Sequence, residues 1–281
     1  FAPFDPFDRL RDRVRDRLNF LLRDRLKFLL RVLNRRARPA HCSVLLTHHF
    51  YYLHIMKKLV VLTGAGMSAE SGIKTFRESG GLWEEYRVED VATPEAWHRD
   101  PELVLRFYNE RRRHLEIAQP NAGHTGLVKL EKDFDVQIIT QNVDNLHERA
   151  GSTKVLHLHG MLTQARGSID PGTVIDIGYR DIQPGEKAPD GSLLRPNIVW
   201  FGEAVPVMEE AAGIASYAEI FVVIGTSLNV YPAAGLIHYV SMMTPVYLVD
   251  PNPVRIPSHH EVEYISEGAG KGVEILAQRL G

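Results

Sequence analysis

The sequence predicts an α/β fold in which a parallel sheet has helices on both faces and carries a smaller lobe built from two insertions. Three observations predict it. Short apolar runs at residues 59–62, 136–140, 198–201, 220–224 and 246–249 alternate with segments of helical periodicity, and strands that alternate with helices pair in parallel. Several runs end in small or polar clusters, Thr63-Gly64-Ala65-Gly66, Gln141-Asn142-Val143-Asp144, Gly225-Thr226-Ser227 and Asp250-Pro251-Asn252. At the carboxyl ends of parallel strands such clusters line one crevice. Two stretches, 82–120 and 161–197, interrupt the alternation.

The first run enters a glycine turn directly: Val60-Val61-Leu62-Thr63-Gly64-Ala65-Gly66-Met67-Ser68. Glycines at 64 and 66 allow a tight turn and a close approach to an anion, and the free N–H groups of the following helix favour a phosphate. This is a Rossmann-like strand–turn–helix start. Taken alone it is a weak signal, because an ordinary strand-to-helix turn has the same letters, and so does a hydride-transferring dehydrogenase.

The first insertion reads as helical, with Pro94-Glu95-Ala96-Trp97 opening one helix and Pro101-Glu102-Leu103-Val104 another. The second is rich in Gly, Pro and Asp and reads as loops with short strands. Ile175, Ile177 and Tyr179 are its candidate packing residues.

The 281 residues are 44% hydrophobic, enough for a substantial core, and the net charge is −2. That balance hides an asymmetry. Residues 1–55 hold twelve Lys and Arg against five Asp and Glu, a net +7, and the rest hold twenty-one against thirty, a net −9. Within residues 1–55, Leu10, Val14, Leu18, Leu22, Leu26 and Leu30 recur every four residues. A basic amphipathic helix suited to a partner or an anionic surface is one reading. The favoured one is a low-complexity extension outside the fold, with the folded domain spanning 56–281. The single cysteine, Cys42, excludes an internal disulfide framework and a multi-cysteine metal site, and fits a reducing, cytoplasmic setting. No apolar run approaches the roughly twenty residues of a membrane helix. Neither nucleic acid nor membrane is an expected partner.

Seven motifs in order carry a resemblance. They are Gly64-Ala65-Gly66-Met67-Ser68, Thr75-Phe76-Arg77, Pro120-Asn121-Ala122-Gly123-His124, Gln141-Asn142-Val143-Asp144, His159-Gly160, Ile198-Val199-Trp200-Phe201-Gly202-Glu203 and Gly225-Thr226-Ser227-Leu228. Together they span nearly all of residues 57–281, and the set resembles the sirtuin family of NAD-dependent protein deacylases. The resemblance implies that Gly64, Ala65, Gly66 and Ser68 take the NAD pyrophosphate, and that Phe76 and Arg77 cover the nicotinamide ribose. It also implies that Gln141, Asn142 and Asp144 hold the nicotinamide end. Gly225, Thr226 and Ser227 would meet phosphate and ribose, Asn252 the adenosine ribose, and Ala269 the adenine.

His159 resembles the family's general base, and Asn142 stands with it as catalytic. The implied reaction has the acyl-lysine carbonyl oxygen attack C1′ of the nicotinamide ribose, releasing nicotinamide. His159 then takes a proton from the ribose hydroxyls. The products would be the free lysine and O-acyl-ADP-ribose. An ordinary histidine pKa of about 6.5 suits that work. His124, His147 and His157 have no such context and read as structural or supporting. Asp144 also fits a helix cap, and Ser68 and Thr226 fit turn positions.

Tyr108 and Arg111 lie three apart on one helical face. A phenol and a guanidinium recognise a carboxylate well, and the pair resembles the sirtuin subclass that removes succinyl and malonyl groups. The plain alternative is a packed tyrosine beside the solvated charge run 111–113. Most sirtuins carry four zinc-binding cysteines in the small lobe; this chain has none there, so no zinc is expected. The competing functions are protein mono-ADP-ribosyl transfer, which shares the first step but has no use for a carboxylate pocket, and a non-catalytic NAD sensor, which would be expected to lack His159 or Asn142.

Overall fold

Apolar runs buried on both faces make the centre of a six-stranded parallel sheet. The computed structural model describes residues 56–74, 86–256 and 258–281; the basic repeat within 1–55 and the loop residues Phe76 and Arg77 lie outside them. β1 (Lys57–Thr63) lies between β2 (Phe134–Thr140) and β7 (Ile220–Ile224). β3 (Val155–His157) extends the sheet beyond β2, and β8 (Val246–Val249) and then β9 (Val262–Ile265) extend it beyond β7. All neighbours pair in parallel. Counted within this sheet, the order is 3-2-1-4-5-6, and the winding reverses between β1 and β7. A crevice for ligands opens at such a reversal.

The pleat divides the core. Val60, Leu62, Phe221 and Val223 face one side, packing with α7 (Met208–Ser216) and the 3-10 helix Ala233–Tyr239. Leu59, Val61, Val222 and Ile224 face the other, under α5 (Ala122–Leu130) and α8 (Ala269–Leu280). The Pro120–His124 motif is explained locally. The Asn121 side chain accepts from the Gly123 and His124 N–H groups while His124 Nδ1 accepts from Asn121 N, a capping box for α5.

The smaller lobe joins helices to an antiparallel sheet. α2 (Val88–Val91) leads to α3 (Pro94–Arg99), capped by Thr93, and then to α4 (Pro101–Ile117), capped by Asp100. β4 (Gly160–Gly167) pairs with both β5 (Val174–Asp176) and β6 (Leu194–Ile198). Arg112 of α4 is fully buried and joins the two parts: its Nε donates to Leu162 O at 2.6 Å, and its Nη1 donates to Asn109 Oδ1 at 2.6 Å and to Arg180 O at 3.3 Å. Ile177 is buried in this core, with Ile175 and Tyr179 packed against it.

One expected strand is corrected. The run 198–201 does not belong to the parallel sheet: its first residue ends antiparallel β6, and the rest leaves the strand toward the crevice. Ile198 and Trp200 there pack in the core of the smaller lobe, which periodicity cannot tell from a buried strand. The short edge strands β3 and β9 had no counterpart among the expected runs. Among the described residues no helix is long and apolar enough to cross a membrane.

Candidate active site

The register of the sheet brings three loops to one level. Thr63 stands opposite Thr140 of β2 and Ile224 of β7, so Gly64, Gln141 and Gly225 emerge side by side. Gly64 N donates to Ile224 O at 3.0 Å and Gly66 N to Gly225 O at 2.9 Å. Gly225 has φ +61, and a Cβ there would strike Met67 N and the carbonyl carbon of Gly66; only glycine fits both the conformation and the space. α1 (Gly66–Ala69) is four residues long. It therefore offers its first N–H groups rather than a developed macrodipole.

A cavity of about 370 Å³ opens over these loops. Of the residues expected to meet NAD, Gly64, Ala65, Gly66, Gln141, Asn142, Gly225, Thr226, Ser227 and Asn252 line it. His159, Tyr108 and Arg111 line the same cavity. Ser68, Asp144 and Ala269 are not among the lining residues. Ala269 is buried at the start of α8, against Gly123.

Ser68 and Asp144 form a layer beneath the floor. Ser68 Oγ donates to Asp144 Oδ2 at 2.9 Å, and Asp144 Oδ1 accepts from Leu146 N at 3.1 Å. Asn142 lies above them, its Nδ2 donating to Gly64 O at 3.0 Å and Ser68 Oγ at 3.2 Å. Burial pushes the Asp144 carboxyl up, against the hydrogen bonds from Leu146 and Ser68. The N-cap of α6 (Leu146–Ala150) is Asn145, not Asp144, and its side chain makes no capping bond; Asp144, one residue earlier, bonds the first helical N–H and holds Asn142 through Ser68.

His159 comes from the link between β3 and β4. Its Nδ1 is 2.9 Å from Gln141 O, and its own carbonyl accepts from Val199 N at 3.0 Å. Gly160 must be glycine, with φ +78 and with Asn197 O where a Cβ would stand. Burial draws the imidazole pKa below the usual histidine value, partly opposed by the bond to Gln141.

His124, His147 and His157 lie under the floor. His147 Nε2 is 3.1 Å from Thr63 Oγ1, and its ring meets His124 edge-on at 4.9 Å. Burial holds both below the usual value, His124 at about 4. His157 bridges Asn142 O at 3.0 Å and Glu148 Oε1 at 2.7 Å. Its burial works against the charged form, but the Glu148 hydrogen bond and charge outweigh that and raise its pKa.

At the far end, Tyr108 and Arg111 project from α4. Burial pushes the Tyr108 phenol up to about 12. Its hydroxyl is 3.0 Å from Trp200 Nε1. The Arg111 guanidinium lies 3.4 Å from the Phe107 ring centroid and donates from Nη1 to Phe107 O at 3.0 Å. Trp200 and Glu203 also line the cavity; the sequence motif contains both, but no role attached to either. Leu228, beside Ser227, has φ +53, a strained value for a side-chain-bearing residue at a site rim. Among the described residues, no group of three or more His, Cys, Asp or Glu side chains is placed to hold a metal ion.

Residues 64–232 match the model of the Sir2 family. The chain is 57% identical over 232 residues to a Bacteroides thetaiotaomicron protein named NAD-dependent protein deacylase, covering 80% of this chain and 98% of that one. It is 48% identical over 228 residues to a Helicobacter pylori protein of the same name, covering 80% and 98%. Among solved structures it is similar to a Sir2 homologue complexed with NAD, at 36% identity and TM-score 0.71, covering 88% of this chain and 98% of that one. A mutant Sir2 homologue complexed with ADP-ribose matches at 38% identity and TM-score 0.73, covering 80% and 94%.

Proposed function

The chain belongs to the Sir2 family, and from that premise we propose that this NAD-dependent protein deacylase prefers acidic acyl groups, succinyl and malonyl above acetyl, on protein lysines. The observation that carries the preference is that Tyr108 and Arg111 line the same cavity as His159. A guanidinium paired with a phenol donor binds a carboxylate through directional, charge-assisted hydrogen bonds.

The residues present fit NAD. Gly64, Gly66 and Gly225 leave backbone rather than side chain on one wall, and Thr226, Ser227 and Asn252 add hydroxyl and amide groups. When bound, NAD supplies an electrophilic sugar carbon with nicotinamide as its leaving group. The chain's own part is orientation and proton handling. A carbonyl can only accept, so the Gln141 contact puts the proton of neutral His159 on Nδ1 and leaves the Nε2 lone pair available. Nε2 can then take a proton from a hydroxyl brought against it, and the Gln141 carbonyl stabilises the imidazolium that results. Asn142, fixed by Gly64 and Ser68, is the positioning side chain at the nicotinamide end.

The absence of a structural zinc belongs to the same reading. It is supported by the single Cys42 and by the way side-chain oxygens close the small lobe. Asp190 Oδ1 accepts from Ser192 N and Oγ at 2.9 and 2.7 Å, its Oδ2 accepts from Asp170 N at 3.1 Å, and Ser192 Oγ accepts from Ser168 N at 2.9 Å.

Mass spectrometry of acetyl-, malonyl- and succinyl-lysine peptides incubated with NAD tests the proposal. Arg111→Met should lose succinyl and malonyl turnover and keep acetyl turnover, and His159→Ala should lose all three. Equal loss of all acyl classes in Arg111→Met, or full activity in His159→Ala, would count against it.

A further inference from the structure

Trp200 has no part in the chemistry above, yet it is held at both backbone and ring. It is 2% exposed. The Arg195 guanidinium lies 3.2 Å from its ring centroid, and Trp97 packs at 5.9 Å. Arg195 is itself fixed, donating from Nη1 to Glu203 Oε1 at 2.8 Å and from Nη2 to Glu203 Oε2 at 3.1 Å and Ile198 O at 2.8 Å. Glu203 Oε2 also accepts from the Trp200 backbone N–H at 2.8 Å. One ion pair therefore grips the residue from two directions.

The indole Nε1–H is a donor only, and its partner is the Tyr108 hydroxyl oxygen at 3.0 Å. Tyr108 must therefore be the acceptor in that bond. The phenol's single proton is left for another acceptor, and Tyr108 lines the cavity that Arg111 shares. A hydroxyl that accepts one hydrogen bond becomes a better donor in the next. Burial keeps the phenol protonated well above neutrality.

We infer that Trp200, braced by Arg195 and Glu203, is a specificity-determining positioning residue: it occupies the acceptor side of the Tyr108 hydroxyl and so turns that proton toward the carboxylate of an acidic acyl group. This rests on the acidic-acyl reading and extends it to a residue that need not touch the carboxylate. Simple packing by Trp200 would affect every acyl substrate alike.

Phenylalanine at 200 retains an aromatic ring for Arg195 and removes only the N–H. The experiment measures KM and kcat for succinyl- and acetyl-lysine peptides at saturating NAD in wild type, Trp200→Phe, Tyr108→Phe, the double variant and Arg111→Met. Losing one hydrogen bond's worth of orientation should raise the succinyl KM of Trp200→Phe roughly fivefold, with the acetyl KM moved much less. The double variant should be no worse than Tyr108→Phe, because both changes remove the same interaction. An unchanged succinyl KM, an equal rise for both peptides, or penalties that add in the double variant would overturn the inference. Arg111→Met separates the two levels. If it leaves the succinyl-to-acetyl ratio at the wild-type value, the acidic-acyl reading fails and this inference fails with it. If it collapses the ratio and Trp200→Phe does not, only this inference fails.

Discussion

Gln141 connects to Thr226 across the mouth of the crevice, its Nε2 donating to the Thr226 hydroxyl at 3.0 Å. The backbone carbonyl of the same residue receives His159. One residue thus ties the loop after β7 to the imidazole. Gln141→Ala cuts only the first tie, so the KM for NAD should rise roughly three- to tenfold, the value of one part-buried hydrogen bond. The pH profile should stay in place. Thr226→Val should give a similar rise, and the double variant less than the product of the two, as initial-rate kinetics with varied NAD would show.

With His159 as the proposed base, its imidazole should set the acid limb. Burial favours its neutral form, and the neutral form is the one with a free Nε2. kcat/KM should hold through neutrality and fall only as pH drops through a pKa below the usual histidine value. A pH–rate profile with the limb at or above that value would contradict the assignment. Replacement by Ala should cost about 10²- to 10⁴-fold in kcat.

Gly225 is the strictest of the turn positions. Gly225→Ala adds a left-handed penalty to a collision with the start of α1, and the protein should lose about 3 kcal/mol or more of stability. Urea unfolding of the variant would measure it; a midpoint equal to wild type would mean the turn has room that the geometry does not show.

Arg195 and Glu203 contribute to stability in a pH-dependent way. Burial works to raise the Glu203 carboxyl, but the hydrogen bonds from Arg195 and Trp200 and the charges of Arg195 and Arg166 outweigh it, so its pKa is depressed. Its contribution is therefore present at neutral pH and is lost as pH falls through that depressed value. Arg195→Met should destabilise by about 3 kcal/mol at neutral pH. The difference from wild type should shrink in acid, as melting curves at several pH values would reveal.

The small lobe should be indifferent to chelators. Incubation with EDTA should leave the melting temperature unchanged, while Asp190→Ala should lower it by opening the turn between β5 and β6. One tightly bound zinc per chain by elemental analysis would refute the oxygen-closed turn as the lobe's substitute for metal.

The central strands were legible because a strand buried on both faces leaves a continuous apolar run, as at Ile220–Ile224. The glycine turn was legible because it follows such a run at once. β3 and β9 were not: β3 has only three residues, and β9, as long as β8, exposes Glu263 and Tyr264 at its centre, so neither leaves a continuous apolar run. The run at 198–201 misled because packing in the small-lobe core uses the same apolar letters as a strand. Site residues fared differently. Tyr108 and Arg111 are joined by local helical spacing, which a sequence displays. Trp200 meets Tyr108 from 92 positions away, and no local pattern encodes that meeting. Asp144 shows the same limit: its letter announced a carboxylate near the crevice, but only the fold turns it inward to Ser68.

Arg112, the next residue after Arg111, bears on whether acyl preference can be transplanted. Its buried guanidinium spans from α4 to the carbonyls of Leu162 and Arg180, so the helix presenting Tyr108 and Arg111 has its rotation set by the antiparallel sheet. Grafting the two residues proposed to recognise the acyl carboxylate onto another scaffold would transfer their chemistry without their angle. The transferable unit is the helix together with the sheet that Arg112 joins to it.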